Sequence, residues 1–505
     1  MGTAGIKRRL RVALPVLATV AIVAPLTWMW QASRMPAAYS VMEMGSLDSG
    51  GGAGLNPGVS GHGGHGEGNG HDHHSGPARS ITDLVADPSR PADVRVDLVA
   101  RQQELSIDGR SVAGFTVNGT SPGPEIRVIQ GQLVEVHLRN ESVAAGVALH
   151  WHGVDVPNAM DGVAGVTQDT VPVGGQFTYR FVADRAGSFW YHSHQVSNPQ
   201  VAGGLLGSLV VTPKSGIAQR VDVSAIAHTY GGLRTINGKA EDLGVEAQPG
   251  ERVRVRITNT DNGSMQVWTS GSFRLLAVDG TEVNQPTEVS DRAVTLTAGA
   301  RADIEVQVPS DGSAVRVQLS KASAVIVGPQ GAEVPAPPQP GEELDLLTHG
   351  SPAQLGFDPA QATRRFDYLI GRRPGFVKGR PGMWWTINGH LFPNVPMFVV
   401  RERDVALVHI ENRSSEVHPM HLHGHRMVVV ARNGVAATGS PWWVDSLNVA
   451  ANESYDVAFV ADNPGIWMDH CHNLKHAADG MVAHLMYEGY DTPYRIAGPA
   501  DNRPE

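Results

Sequence analysis

Four short stretches concentrate the side chains able to bind metal. They are His150-Trp-His152, His192-Ser-His194, His418-Pro-Met-His421-Leu-His423 and His470-Cys-His472-Asn-Leu-Lys-His476. On an extended strand, residues two apart point the same way, so each His-x-His pair offers two imidazoles side by side. Ten of the chain's 22 histidines fall in these groups, a concentration that scattered core or surface histidines do not produce. Cys471 is the only cysteine, so it staples nothing, and its neighbours make it chemical. If residues 470–472 are extended, the thiolate faces one way and both flanking imidazoles face the other. A soft thiolate, two imidazoles and a long axial thioether form the donor set of a blue-copper electron-transfer site. Cys471 and His476 supply two of those donors, and Met481, ten residues beyond the cysteine, can supply the weak axial one. The third strong donor comes from elsewhere, and His418 is the unpaired imidazole of its group. Zinc competes for such ligands, but a structural zinc wants one tetrahedral set, often rich in thiolates. A surplus of imidazoles around a single thiolate suits several coppers better.

The elements that must carry these residues read as strands. Phe115-Thr-Val-Asn-Gly119 leads to Leu133–Asn140, Thr235-Ile-Asn-Gly238 leads to Val253–Asn259, and Trp385-Thr-Ile-Asn-Gly389 leads to Val405–Asn412. In each copy an Asn-Gly turn precedes an alternating or β-branched run. The two asparagines are separated by 22, 22 and 24 residues, and matched spacing predicts three related β-domains. With 58 glycines, 33 prolines and no long helix after the N-terminus, an all-β chain of three β-sandwiches is expected. The first runs over 83–213, the second over 214–334, and the third over 346–505. The stretch 335–345, opening Pro-Ala-Pro-Pro-Gln-Pro, is a linker. The middle domain has one histidine, His228, and no cysteine, so it is expected to space the other two. A net charge of −10, with nothing in the folded part of the chain that suggests a phosphate-binding surface, argues against nucleic acid as a partner.

The N-terminus carries an address over residues 1–31. Lys7, Arg8, Arg9 and Arg11 precede an uncharged run from Val12 to Trp30. As a helix that run reaches about 28 Å, close to the roughly 30 Å hydrocarbon core. It exceeds the usual signal-peptide core of about 7–15 residues. An uncleaved anchor is therefore expected, with a removed signal peptide and secretion as the alternative. Either way the protein is expected to be exported, to the cell envelope if anchored or secreted if cleaved. Residues 32–82 form a Gly/His-rich linker, and from Gly45 to Ser80 it reads as a disordered tether bearing His62, His65, His71, His73 and His74. Those histidines are either a loose metal-collecting tail or incidental to a flexible stalk.

The four histidine stretches together resemble the copper-binding motifs of the multicopper oxidases, the family of laccases, cuprous oxidases and bilirubin oxidases. The resemblance covers the chain from about residue 83. It implies cupredoxin-like Greek-key sandwiches and four copper ions, one blue and three in a cluster. By the same resemblance, His418, Cys471, His476 and Met481 match the blue site, and His150 and His421 match the ligands of the lone cluster copper. His152, His192 and His472 match one copper of the coupled pair; His194, His423 and His470 match the other. Asp161, in Asn-Ala-Met-Asp-Gly, matches an acid that relays protons in related oxidases, although in isolation an Asp-Gly turn explains it better. Several bacterial relatives carry a glutamate directly after the histidine matching His476, where this chain has Ala477; Asp469 and Asp479 are nearby acids.

The implied activity is one-electron oxidation of a reducing substrate coupled to four-electron reduction of dioxygen to water. Phenols and aromatic amines are the expected substrates. Oxidation of Cu(I) is the alternative, weakened because Met420, Met427, Met468, Met481 and Met486 are scattered rather than clustered. Trp384-Trp385 and Trp442-Trp443 either line a substrate edge or, more simply, pack the core. A non-enzymatic copper buffer in the envelope is a further reading, and it would consume no oxygen.

Overall fold

A computed structural model describes residues 3–51, 78–321 and 323–505. Almost all of its regular structure is β, arranged as three two-sheet sandwiches. In the first, a sheet ordered Arg110–Val117, Val94–Ile107, Leu133–Asn140, Gln176–Val182 accompanies one ordered Ile126–Ile129, Leu206–Thr212, Gly187–Ser193, Leu149–His152. The third sandwich carries Pro396–Val400, Val482–Tyr487, Ile466–Cys471, His418–Leu422 and Ser446–Val449 side by side in one sheet. His418, His421, His470 and Cys471 thus lie on inner strands of the third sandwich, and His192 on an inner strand of the first, while His150 and His152 lie on its edge strand.

The repeated asparagines explain why the three units share a fold. Asn118, Asn237 and Asn388 adopt left-handed φ values of 54°, 51° and 52°, a conformation asparagine tolerates better than most residues. Each side chain then clips the first strand of its own domain. Asn118 accepts from Val99 N (2.7 Å) and donates to Asp97 O (2.8 Å). Asn237 does the same with Ile226 and Ser224 (2.8 Å each), and Asn388 with Leu369 and Asp367 (2.7 Å each). The second asparagine of each copy is buried and closes the loop after its strand. Asn140, Asn259 and Asn412 donate to Val143 O (2.9 Å), Gly263 O (2.8 Å) and Glu416 O (2.7 Å) respectively. Satisfying equivalent backbone groups in three places fixes the same turn three times.

One apolar core contains residues of both the first and third sandwiches, while the middle sandwich has its own around Val255, Ile257, Leu275 and Ile304. The first and third domains therefore pack directly on each other, which is what lets their histidines meet.

The linker expected over 32–82 is not free at its ends. Ala38–Tyr39 pairs with residues 496–497, Ser46–Asp48 extends the sheet beside Pro396–Val400, and Arg79–Ser80 pairs with Tyr490–Asp491. Tyr39, Val41 and Met44 are buried in an apolar cluster of the third domain. These residues precede the glycine-rich run and bring enough apolar surface to dock, whereas the five tether histidines lie outside the described residues. The linker after the middle sandwich also ends in structure, since Glu342–Glu343 pairs with residues 292–293. The expected anchor falls in the helix Thr3–Ala32, of whose first half only the backbone is described. Leu17, Val20, Ile22, Leu26 and Trp28 of this helix are exposed. Among the described residues no helix is long and apolar enough to cross a membrane.

Candidate metal centre

Strand alternation builds the centre. On Leu149–His152 the two histidines face one way and Trp151 the other, where it is fully buried against Tyr179 and Phe181, with ring centroids at 5.3 and 4.9 Å. The neighbouring strand Gly187–Ser193 sets His192 opposite His150 in antiparallel register. In the third sandwich, His418–Leu422 pairs with Ile466–Cys471, setting His421 opposite His470 and Met420 opposite Cys471. The two sandwiches bring these strands together, and the candidate ligands from both domains converge.

Eight imidazoles gather at the domain junction. His150, His152 and His421 form one group, His152, His192 and His472 a second, and His194, His423 and His470 a third; the candidate ligand atoms of each lie within 4.8 Å of one another. His150 Nε2 is 3.4 Å from His421 Nε2, and His470 Nε2 lies 3.2 Å from His423 Nε2 and 3.5 Å from His194 Nε2. All eight are buried. Burial, reinforced by the neighbouring imidazoles, holds His152, His192, His194, His421, His423, His470 and His472 well below the usual histidine range. Neutral imidazoles with inward lone pairs are metal ligands in waiting.

On the opposite side of the Ile466–Cys471 strand, Cys471 Sγ lies 3.7 Å from both His418 Nδ1 and His476 Nδ1, which are 3.3 Å apart. His476 sits on the short helix Leu474–Ala478. Met481 follows it, fully buried, with its N–H donating to His476 O (3.1 Å) and its carbonyl accepting from Cys471 N (3.2 Å). Burial pushes the Cys471 thiol far above its ordinary range, so binding a metal there must displace a proton.

Copper fits these residues on an observation independent of ancestry. His152 Nδ1, His192 Nε2 and His472 Nε2 are buried with no hydrogen-bond partner among the described residues. Leaving such atoms unmatched costs about 1–3 kcal/mol each, and one metal ion satisfies all three.

The surrounding acceptors fix the other ring nitrogens. Asp161 caps the 3₁₀ turn Asn158–Met160 and reaches two histidines, 3.0 Å from His150 Nδ1 and 3.1 Å from His423 Nδ1. Burial pushes its carboxyl above the usual range, and His150 opposes that shift. The Asp-Gly turn reading is also satisfied: Gly162 has φ +80°, and a Cβ there would stand 1.7 Å from Leu149 O. Asp469 and Asp479 are not at the cluster. Asp469 shares the sulfur side of its strand and lines a small apolar pocket with Tyr368 and Phe398; Asp479 caps the helix Leu474–Ala478.

Three residues that sequence reasoning did not single out complete the site. Glu505 receives a hydrogen bond from Ser197 Oγ (2.6 Å) and places Oε1 3.2 Å from His470 Nδ1, off the line of a hydrogen bond. Burial pushes its carboxyl up to about 8. Glu505 lines a cavity of about 410 Å³ that Ala477 also lines, so an acid stands near the position where Ala477 supplies none. The others are Asp445, 3.1 Å from His152 Nε2, and Arg301 of the middle sandwich, which grips Asp445. No local motif marks any of the three. The middle domain therefore does more than space its neighbours.

A junction of eight imidazoles beside a thiolate site, carried on β-sandwiches, defines a multinuclear metalloprotein. Sequence profiles described as multicopper oxidase match residues 99–216 and 359–489. The chain is 27% identical to the multicopper oxidase MmcO of Mycobacterium tuberculosis, over 80% of this chain and 89% of the relative. It is 26% identical to laccase-1 of Botryotinia fuckeliana, over 76% and 80%. A crystal structure of a multi-copper oxidase from Pseudomonas thermotolerans superposes with a TM-score of 0.65 at 26% identity, covering 79% of this chain and all of that one. The chain belongs to the multicopper oxidases. It is an oxidoreductase that uses oxygen as acceptor and copper as cofactor.

Proposed function

We propose that the protein is a laccase-like multicopper oxidase that takes electrons from phenols or aromatic amines. In this reading His418, Cys471, His476 and Met481 hold the blue copper, and His150 and His421 hold the lone copper of the cluster. His152, His192 and His472 hold one copper of the pair, and His194, His423 and His470 hold the other. Bound copper supplies one-electron stores whose combined capacity matches the four electrons that dioxygen needs. The residues do the rest. Cys471 is joined through the backbone to His470 and His472, giving a covalent path from the thiolate to both members of the pair. Asp161 accepts from the Nδ1–H of His150 and His423, aiming their Nε2 lone pairs inward, and its protonated form is a proton source beside the cluster.

The observation that carries the substrate class is the rim of the thiolate site. Glu416, 44% exposed, places Oε2 3.3 Å from His476 Nε2, and Trp385 packs against both His418 and His476 with ring centroids at 4.6 and 4.7 Å. Trp385 is buried, which supports its packing role, and Arg372 lies over it at 4.4 Å. A phenol or aromatic amine loses a proton as it loses an electron, and Glu416 is placed to accept that proton. By contrast Met420, Met427, Met468, Met481 and Met486 are all buried, so none of these thioethers is available at the surface to gather Cu(I). The basic cluster followed by the uncharged run 12–30, with exposed apolar side chains from Leu17 to Trp28, supports an exported, membrane-attached protein.

Oxygen uptake by copper-loaded protein, given a phenol in one vessel and Cu(I) in another, tests the assignment. Faster uptake with the phenol is expected. Glu416→Gln should lower kcat/KM for the phenol by about a hundredfold, the low end of general-base effects, and spare an inorganic outer-sphere reductant. Faster uptake with Cu(I) and indifference to Glu416→Gln point to a metal oxidase; no uptake with either points to a copper buffer.

A further inference from the structure

The middle sandwich holds none of the candidate ligands, yet its residues close over two of them. Arg301, completely buried, donates from Nη1 to Asp445 Oδ1 (2.5 Å) and from Nη2 to Oδ2 (2.6 Å), a two-point fork. Its Nε donates to Ser188 O (3.1 Å) and Nη1 also to Gly299 O (3.2 Å), so the guanidinium plane cannot turn. Asp279, from the same sandwich, accepts from Arg301 N (2.9 Å) with one oxygen and from Asp445 N (3.1 Å) and Ser446 N (3.0 Å) with the other. Residues 445–446 are thereby clamped at both side chain and backbone.

What they clamp is histidine. His152 Nε2 lies 3.1 Å from Asp445 Oδ1 and 2.9 Å from Ser446 Oγ, and His421 Nδ1 lies 2.7 Å from Asp445 O. A carboxylate paired with a guanidinium, and a carbonyl oxygen, can only accept. His152 must therefore carry its proton on Nε2 and His421 on Nδ1, leaving His152 Nδ1 and His421 Nε2 as the free lone pairs. These are the nitrogens that face the cluster: the first is buried without a partner, and the second is 3.4 Å from His150 Nε2. Close approach is enforced as well. Gly299 has φ +81°, and a Cβ there would stand 2.9 Å from His152 Cε1 and 3.1 Å from His472 Cγ.

We infer that Arg301 is a positioning residue of the copper cluster, acting through Asp445 to fix the tautomer and orientation of His152 and His421. The middle sandwich thereby controls occupancy of the copper held by His150 and His421. This rests on the ligand assignment proposed above. With only two protein ligands, that lone copper is the first to loosen when one ring is freed. Removing a second partner of this kind weakens metal affinity about 10–100-fold.

The test uses the full copper-loaded chain carrying Arg301→Lys, which keeps the charge and loses the fork. Competition with a chelator should show the lone copper leaving at 10–100-fold lower chelator concentration, with loss of its paramagnetic resonance signal and the blue absorption intact. Arg254→Lys controls for plain destabilisation, because Arg254 makes a comparable buried pair with Asp303 (2.7 Å) in the same sandwich and touches no histidine. It should cost stability and leave chelator resistance unchanged. Should Arg301→Lys fail to fold, Asp445→Asn keeps the shape, weakens the fork and is expected to shed the same copper. Chelator resistance equal to wild type in the folded variant, or equal copper loss in the Arg254→Lys control, overturns the inference. Wild-type protein that never holds the lone copper overturns the ligand assignment instead.

Discussion

Cys471→Ser should abolish the blue absorption and the turnover of reducing substrates together, while leaving copper bound at the histidine cluster. Serine is close in shape, so the buried strand Ile466–Cys471 should survive, but its hydroxyl is neither soft nor readily ionised. The donor set of a blue site depends on the sulfur, and no other thiol exists in the chain to replace it. Cys471 is also the only residue that joins the His418–His476 pocket to both His470 and His472 through adjacent peptide bonds. Its loss therefore removes both the acceptor of substrate electrons and the path onward. Copper content should fall by about one ion per chain, measured by metal analysis, and oxygen uptake should drop to background. Substantial uptake in the colourless variant would mean that electrons enter elsewhere.

Metal-free protein is expected to lose stability steeply as pH falls below about 6.5. Seven cluster histidines have folded pKa values well below the usual 6.5 because burial disfavours their charged form. A depressed histidine pKa means the unfolded chain binds the proton first, so its contribution is present above 6.5 and is lost on acidification. Each such group contributes a slope of about 1.4 kcal/mol per pH unit. Buried acids act in the opposite sense. Asp469 and Glu505 are raised to about 8 and Asp279 to about 7, each mainly by burial, and Asp161 is raised too. The raised carboxyls hold their protons in the folded chain to higher pH than in the unfolded one, so their contribution is lost as pH rises through the folded values. The histidines outnumber them, leaving a net loss of several kcal/mol per pH unit on going below about 6.5. Above that only the acids titrate, and stability declines again toward pH 8, by about 1.4 kcal/mol per pH unit for each acid that still holds its proton in the folded chain. Denaturant melts of the metal-free chain from pH 5 to pH 8 should therefore peak near the histidine pKa of about 6.5. Copper, which binds only the folded chain's neutral imidazoles, should raise the whole curve. A flat profile between pH 5 and pH 7 would mean the imidazoles are not held neutral.

The parts legible in the sequence were those governed by local periodicity. Asn118, Asn237 and Asn388 could be found because a turn that needs a left-handed residue repeats at fixed spacing before a strand. The grouping of candidate ligands was readable because residues two apart on a strand share a face, so His470 and His472 separate from Cys471 without any tertiary knowledge. Contacts made across long stretches of chain left no such trace. Arg301 meets Asp445 at a separation of 144 residues, and Asp445 meets His152 at 293. Each lies in a stretch that reads as an ordinary strand end or turn. Glu505 belongs to a polar segment whose role depends on its path past residues 194–197, where Arg503 bonds to Val196 and Gln195. The docking of residues 38–48 was hidden by the glycine-rich run beside them.

Metal analysis of purified, copper-loaded protein, combined with its visible and paramagnetic resonance spectra, bears most directly on the ligand set. The expected result is about four copper ions per chain, with one giving the intense blue of a thiolate complex and two magnetically silent as a coupled pair. A colourless protein holding a single zinc ion would contradict it.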